Sequence, residues 1–295
     1  MSKIKAKWYK SPLFIVVLVI LCVYTILLFA PIIWGCMMSL QDGISSEYKS
    51  VPWPMQWQFS NYAIAFTKFY VPVKLPSGEI RYPTMIYMFE YSVAYAVGCG
   101  LMATLVPCVV GYVTARFNYV FSRIINAFVI VAIALPIVGA QASELAMMHR
   151  LGLYNRLWGL WITKSHFLSM YYLVFYATFR SFSKSFEEAA YIDGAGYFRV
   201  FVRIMLPLVK NLFFTIFLIQ FIAFWNDYYT PLMYMPAYPT IAYGMYYFNV
   251  NRDNLTTNIP LKLTGGVIML VPVLAVYMVF NQRLMANLTI GGDKE

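Results

Sequence analysis

Charge is what this chain has least of. Only 12% of its 295 residues are Asp, Glu, Lys or Arg, against ~25% in ordinary soluble domains. With 61% of residues hydrophobic, too little polar surface is left to cover a water-soluble globule of this length. Lipid is therefore the solvent for much of the chain. Cysteine is also scarce. Cys22, Cys36, Cys99 and Cys108 all sit in apolar stretches, and none belongs to a CxxC pair. Neither a zinc site nor a disulfide framework is supported, and the four read as small buried hydrophobes. His149 and His166 stand apart with no carboxylate at metal-ligand spacing. There is no GxxxxGK(S/T), HExxH or GxSxG, so no motif for cradling ATP phosphates or for membrane-embedded hydrolysis is present. The net charge of +10 would point a soluble protein toward nucleic acid. Here the basic residues lie between apolar runs, which makes them topology signals instead.

What the chain does have is long apolar stretches. A bilayer core needs about 20 apolar residues per helix, and six stretches qualify: 13–40, 91–115, 124–148, 158–179, 211–234 and 263–285. Helices are expected throughout, because lipid offers no partner to free backbone groups. The first stretch is too long for a signal-peptide core and reads as a retained span. Lys3, Lys5, Lys7 and Lys10, then Arg116 and Arg123, then Arg180, Lys184, Arg199, Arg203 and Lys210 all fall on one side of a six-span layout. That side is expected to be cytoplasmic, with both termini inside. The loop 41–90 is then external. It is rich in Trp53, Pro54, Trp57, Tyr62 and Tyr70, either as an interfacial belt or as a partner-docking surface. No repeats, heptads or low-complexity tracts interrupt a single domain over 1–295.

The link between the fourth and fifth spans, 182–207, is too long for a tight turn and too patterned for a loose loop. Ser183 or Ser185 can cap a helix, Glu187 and Glu188 suit its first turn, and Ala189 and Ala190 favour it. Gly194 supplies a left-handed stop. A second helix follows from about Tyr197 to Met205, and Pro207 can open the next span. The product is a helix–hinge–helix knob at the membrane surface, shaped to press into a groove on a soluble partner.

The spacing Glu188-Ala189-Ala190, three residues, Gly194, nine residues, Ile204, one residue, Leu206-Pro207 resembles the EAA loop of permease subunits of binding-protein-dependent ABC importers. Leu151-Gly152-Leu153-Tyr154-Asn155, then Trp225-Asn226-Asp227 with Pro231-Leu232, then Gln282-Arg283 with Leu288-Thr289 and Gly291-Gly292 resemble the carbohydrate branch of that family, similar to the maltose-type second permease. The tail departs from the branch by ending Asp293-Lys294-Glu295, and the external loop carries an extra Pro76-Ser77-Gly78-Glu79.

The resemblance implies an all-α integral membrane protein of the type I ABC importer permease fold, with six spans and a cytoplasmic coupling helix. It implies two ATPase subunits, which bind ATP and Mg while this chain carries no cofactor. It also implies a second permease chain different from this one, an external solute-binding protein and a carbohydrate substrate. Phe186, Ala189, Ala190 and Ile192 are expected to pack into an ATPase cleft, with Glu187 or Glu188 pairing with a base there. Asp193, Gly194, Ile204, Leu206 and Pro207 complete the coupling loop, and Gly291 and Gly292 are expected to touch the ATPase. For the solute path, costly intramembrane acids are the first candidates: Glu144 beside Gln141, and Asp227 beside Trp225, Asn226 and Tyr228. The alternative for both acids is a capping or pairing role at the outer interface. The rival substrates are phosphate, polyamine or amino acid.

Overall fold

The computed structural model describes residues 12–42, 57–75, 77–117, 119–135, 139–251 and 258–286, the last six by backbone alone. In chain order the elements are α1 (Pro12–Ser39), α2 (Ser60–Lys68), strands β1 (Val73–Lys74) and β2 (Ile80–Arg81), α3 (Met85–Arg116), α4 (Val120–Ala134), α5 (Gln141–Arg150), α6 (Leu157–Thr163) and α7 (Met170–Ser181). There follow α8 (Ser185–Ile192), α9 (Tyr197–Leu208), α10 (Lys210–Trp225), α11 (Tyr229–Tyr234), α12 (Ile241–Val250) and α13 (Ile259–Ala286). They fall into two units, Met1–Lys68 with Phe248–Ile268, and Phe69–Tyr247 with Met269–Glu295.

In the first unit the side chains of α1 from Leu13 to Ile33 are mostly exposed apolar groups, as expected of a helix whose surroundings are hydrocarbon. Its C-terminal end is closed by polar side chains. Asn61 donates to the Ser39 and Gln41 carbonyls at 2.9 and 3.0 Å, and Thr264 donates to Ser39 O at 3.0 Å. Carbonyls that the helix leaves without partners are satisfied this way.

In the second unit α3 is the axis, packed against α7 and α10. At 32 residues it is about 48 Å long, well beyond a bilayer core. Gly111 permits the close approach of α7: a Cβ there would sit 3.0 Å from Phe175 Cβ. The Tyr172 hydroxyl lies 2.8 Å from Thr114 Oγ1 and 2.7 Å from Asn126 Oδ1, tying α7 to α3 and α4.

Among the described residues, three helices can cross a membrane by length and composition: α1, α3 and the Ile259–Phe280 part of α13. There are four if α9 and α10, bent by 76°, form one span. Three of the six stretches expected to span are not single continuous helices among the described residues. The stretch 124–148 is broken after Ala134, where Leu135 turns extended (φ −86°, ψ 120°) ahead of Pro136, as the residue before proline must. The stretch 158–179 is split between α6 and α7, with polar Lys164, Ser165, His166 and Ser169 in the gap. The stretch 211–234 pauses at Asn226–Asp227–Tyr228. The expected helix pair around Pro207 is also drawn differently. The chain runs helically through Pro207, with a wide turn at Phe201–Met205 in which the Leu206 amide reaches back to Phe201 O. Proline has no amide and crowds the carbonyl four residues back, and a π turn absorbs both defects.

The loop 41–90 is not all-α either. β1 and β2 pair antiparallel, Val73 opposite Arg81 and Lys74 opposite Ile80, extended by a bridge between Tyr70 and Thr84. Trp53, Pro54, the N-terminal lysines, and Gly291 and Gly292 lie outside the described residues.

Candidate functional site

The helix–hinge–helix knob, α8 and α9, belongs to the second unit and is held against it on one side. α8 begins at Ser185 after Lys184, and the Ser183 hydroxyl accepts from the Ser185 amide at 3.3 Å. It ends as the left-handed stop requires. Gly194 has φ +79°, its amide donates to Tyr191 O at 3.0 Å, and Ala195 N donates to Ala190 O at 2.9 Å. These are the two bonds of a Schellman closure.

One face of α8 turns into the protein. Ala190 joins a core with Cys108, Tyr112, Phe175, Phe179, Val200 and Phe201. Glu187 is buried, with Oε2 3.3 Å from Arg116 Nε at the C-terminal end of α3. The same guanidinium donates to the Phe182 and Ser183 carbonyls at 3.0 and 3.2 Å, so it grips both the end of α7 and the start of α8. Among the described residues, Glu187 Oε1 and the Tyr112 hydroxyl are buried with no hydrogen-bond partner at bonding distance. Burial first, and the Glu187 charge second, raise the pKa of the Tyr191 hydroxyl above its ordinary value. Tyr197 packs edge-on to both Tyr191 and Phe117.

The other face is open. Phe186 is 50% exposed, Ile192 86% and Phe198 79%, with Glu188, Ala189 and Asp193 also at the surface. Of the residues expected to face a partner, Glu187 and Ala190 are thus corrected: both are consumed inside the chain, because positions three apart on a helix share a face. Ile204 and Leu206 pack against the core, and Pro207 is exposed. Two participants escaped sequence reading. Arg116 was counted only as a loop charge, although a single cation closing an apolar run is the signal of an anchor. Phe198 carries no motif, yet it adds to the exposed apolar side chains.

The candidate path residues are mostly engaged elsewhere. Trp225 is buried, its indole donating to Met269 O at 3.0 Å, so it offers no open ring face. Asp227 accepts from the Tyr95 hydroxyl at 2.9 Å and, through its other oxygen, from the Thr230 amide at 3.0 Å. That is a helix-start role at α11. Glu144 accepts from the Tyr234 hydroxyl at 3.0 Å. Gln141 and Asn226 are exposed, and Tyr228 stacks on Tyr246 at 4.5 Å. Asn155 emerges as a clamp. In the left-handed conformation (φ 56°), its amide donates to Tyr234 O at 2.8 Å and its Oδ1 accepts from the Ala237 amide at 2.9 Å.

Residues 108–289 match the family described as binding-protein-dependent transport system inner membrane component. Among individual proteins, the chain is 26% identical over 277 residues to the diacetylchitobiose uptake system permease protein NgcG of Streptomyces coelicolor, covering 92% of this chain and 86% of that one. It is 27% identical over 194 residues to the maltodextrin transport system permease protein MalD of Streptococcus pneumoniae, covering 65% and 69%. In fold it is similar to a chain of a bacterial ABC transporter involved in the import of the acidic polysaccharide alginate. The TM-score is 0.74 at 22% identity, over 91% of this chain and 95% of that one.

Proposed function

Since this chain belongs to the family of binding-protein-dependent transport system inner membrane components, we propose that it is the permease subunit of an ATP-driven importer for a sugar or oligosaccharide. The sugar assignment draws on relatives named for diacetylchitobiose and maltodextrin, which favour it over phosphate, polyamine or amino acid. The chain is a multi-pass protein of the inner membrane. In this reading it has six spans, of which the third, fourth and fifth are interrupted, both termini are cytoplasmic, and the external hairpin faces the binding protein.

The observation that carries the mechanism is the braced knob. Phe186, Ile192 and Phe198 are exposed apolar side chains of the knob, with Glu188 also at its surface, while Arg116 and the core hold its buried side. A pair of ATPase subunits, which bind ATP and Mg, seats these side chains in its cleft. When the ATPases close, the knob moves as one body. Arg116 passes the displacement to α3, and the spans reorient around a path shared with a second permease chain. Closed and open states then differ in free energy by the contacts each makes, as population shift requires.

The test is uptake. In liposomes with its second permease and ATPases, the complex is expected to accumulate a labelled neutral oligosaccharide only when ATP and loaded binding protein are both supplied. Accumulation of phosphate or a polyamine, and of no sugar, contradicts the reading.

A further inference from the structure

At the far end of α3 from the knob, the hairpin borders a half-open cavity of about 450 Å³, within the usual range for small-molecule pockets. Its walls include Glu79 and Arg81 from the hairpin, Tyr82 just after it, Tyr87 and Tyr91 on α3, and Tyr238 from the loop after α11. Tyr87 and Tyr91 are one helical turn apart and share a face. Several walls are fixed before any ligand arrives. Tyr82 leans edge-on against Tyr70 at 5.4 Å, and Tyr91 against Tyr238 at 5.3 Å. The Tyr238 loop is pinned next door by the Asn155 clamp on Ala237.

The hydrogen-bonding heads, in contrast, are uncommitted. The hydroxyls of Tyr82, Tyr87 and Tyr91 make no protein hydrogen bond among the described residues. Glu79 and Arg81 approach only to 3.9 Å, and both are largely exposed. Rigid ring faces beside free donors and acceptors, with one charge of each sign, fit a neutral ligand that is apolar on one side and hydroxylated on its edges. A pyranose ring has that chemistry.

We propose that this cavity is a sugar-binding subsite on the external face, which holds a unit of the carbohydrate as it passes from the binding protein to the membrane path. The proposal rests on the sugar-importer reading above. Tyr82 and Tyr87 supply ring faces, and Arg81 and Glu79 bind ring hydroxyls.

The experiment uses the assembled importer in lipid nanodiscs and in liposomes, with maltotriose, diacetylchitobiose and trehalose as probes. Direct contact is read by saturation-transfer NMR without binding protein, and transport as sugar accumulated per ATP hydrolysed. The double variant Tyr82→Ala/Tyr87→Ala is expected to lose at least ten-fold in saturation transfer and at least three-fold in sugar per ATP. The Tyr→Phe pair, which keeps both rings, is expected to retain most of each. Equal saturation transfer in wild type and the Ala pair overturns the subsite while leaving the importer reading intact. So does loss of stimulation by loaded binding protein with sugar contact unchanged, which makes the face a protein-docking surface. If wild type takes up none of a wider panel of sugars, the importer reading fails and the subsite with it.

Discussion

Two arginine–glutamate pairs mark the opposite ends of α3, and they share almost nothing but chemistry. At the knob end, Arg116 and Glu187 lie 3.3 Å apart with side chains 4% and 8% exposed. At the hairpin end, Arg81 and Glu79 lie 3.9 Å apart with side chains 67% and 64% exposed. The first joins three helices and is sealed in an aromatic core. The second sits on a two-stranded hairpin in water. A buried pair fixes geometry, because either charge alone would be stranded in low dielectric. An exposed pair fixes little and leaves its atoms free for a ligand. In the proposed reading, the buried pair serves the coupling end of the helix and the exposed pair the ligand-binding end.

Breaking the buried pair should have the largest effect. Arg116→Leu leaves Glu187 buried without its cation and is expected to destabilise the assembled complex by about 3–5 kcal/mol, read as a fall in its thermal unfolding midpoint. Adding Glu187→Leu should recover most of the loss. If the single variant melts like wild type, the brace is not structural. The Asn155 clamp stands between the extremes. Asn155→Ala leaves the Ala237 amide without its acceptor and should cost roughly 1–3 kcal/mol, seen as faster amide exchange in the Tyr234–Tyr238 segment while exchange in α8 is unchanged. The smallest effect belongs to the exposed pair. Arg81→Ala should shift stability by under about 1 kcal/mol after solvent screening, within scatter of wild type in the same thermal scan. A large loss there would erase the contrast between the two ends.

Much of this was legible in the sequence, for local reasons. Gly194 ends α8 where a glycine after Glu-Glu-Ala-Ala should, because the left-handed stop is a property of neighbouring residues. The second span, expected at 91–115, is Met85–Arg116, since an unbroken apolar run needs no tertiary information. The third stretch, expected at 124–148, is broken because mean apolarity hides a local veto: Leu135 must leave the helix before Pro136. The hairpin strands are two residues each, too short for any alternation to register. The brace between Arg116 and Glu187 and the burial of Trp225 are long-range facts. From sequence, Arg116 was one of several basic link residues and Trp225 one of several aromatic ones. Which of two adjacent glutamates turns inward depends on the helix's rotation against α3, which composition does not specify.

The central claim is that the knob couples ATP hydrolysis to this chain, and the direct test is ATPase stimulation in the full reconstituted complex. Gly194→Pro, which cannot adopt the φ of +79°, and Glu188→Lys, which reverses an exposed charge on the knob, would be compared with wild type at saturating loaded binding protein. The account predicts that basal hydrolysis survives while at least 90% of the stimulation is lost in both, roughly a ten-fold change and hence about 1.4 kcal/mol of coupling. Stimulation equal to wild type in both variants would contradict it.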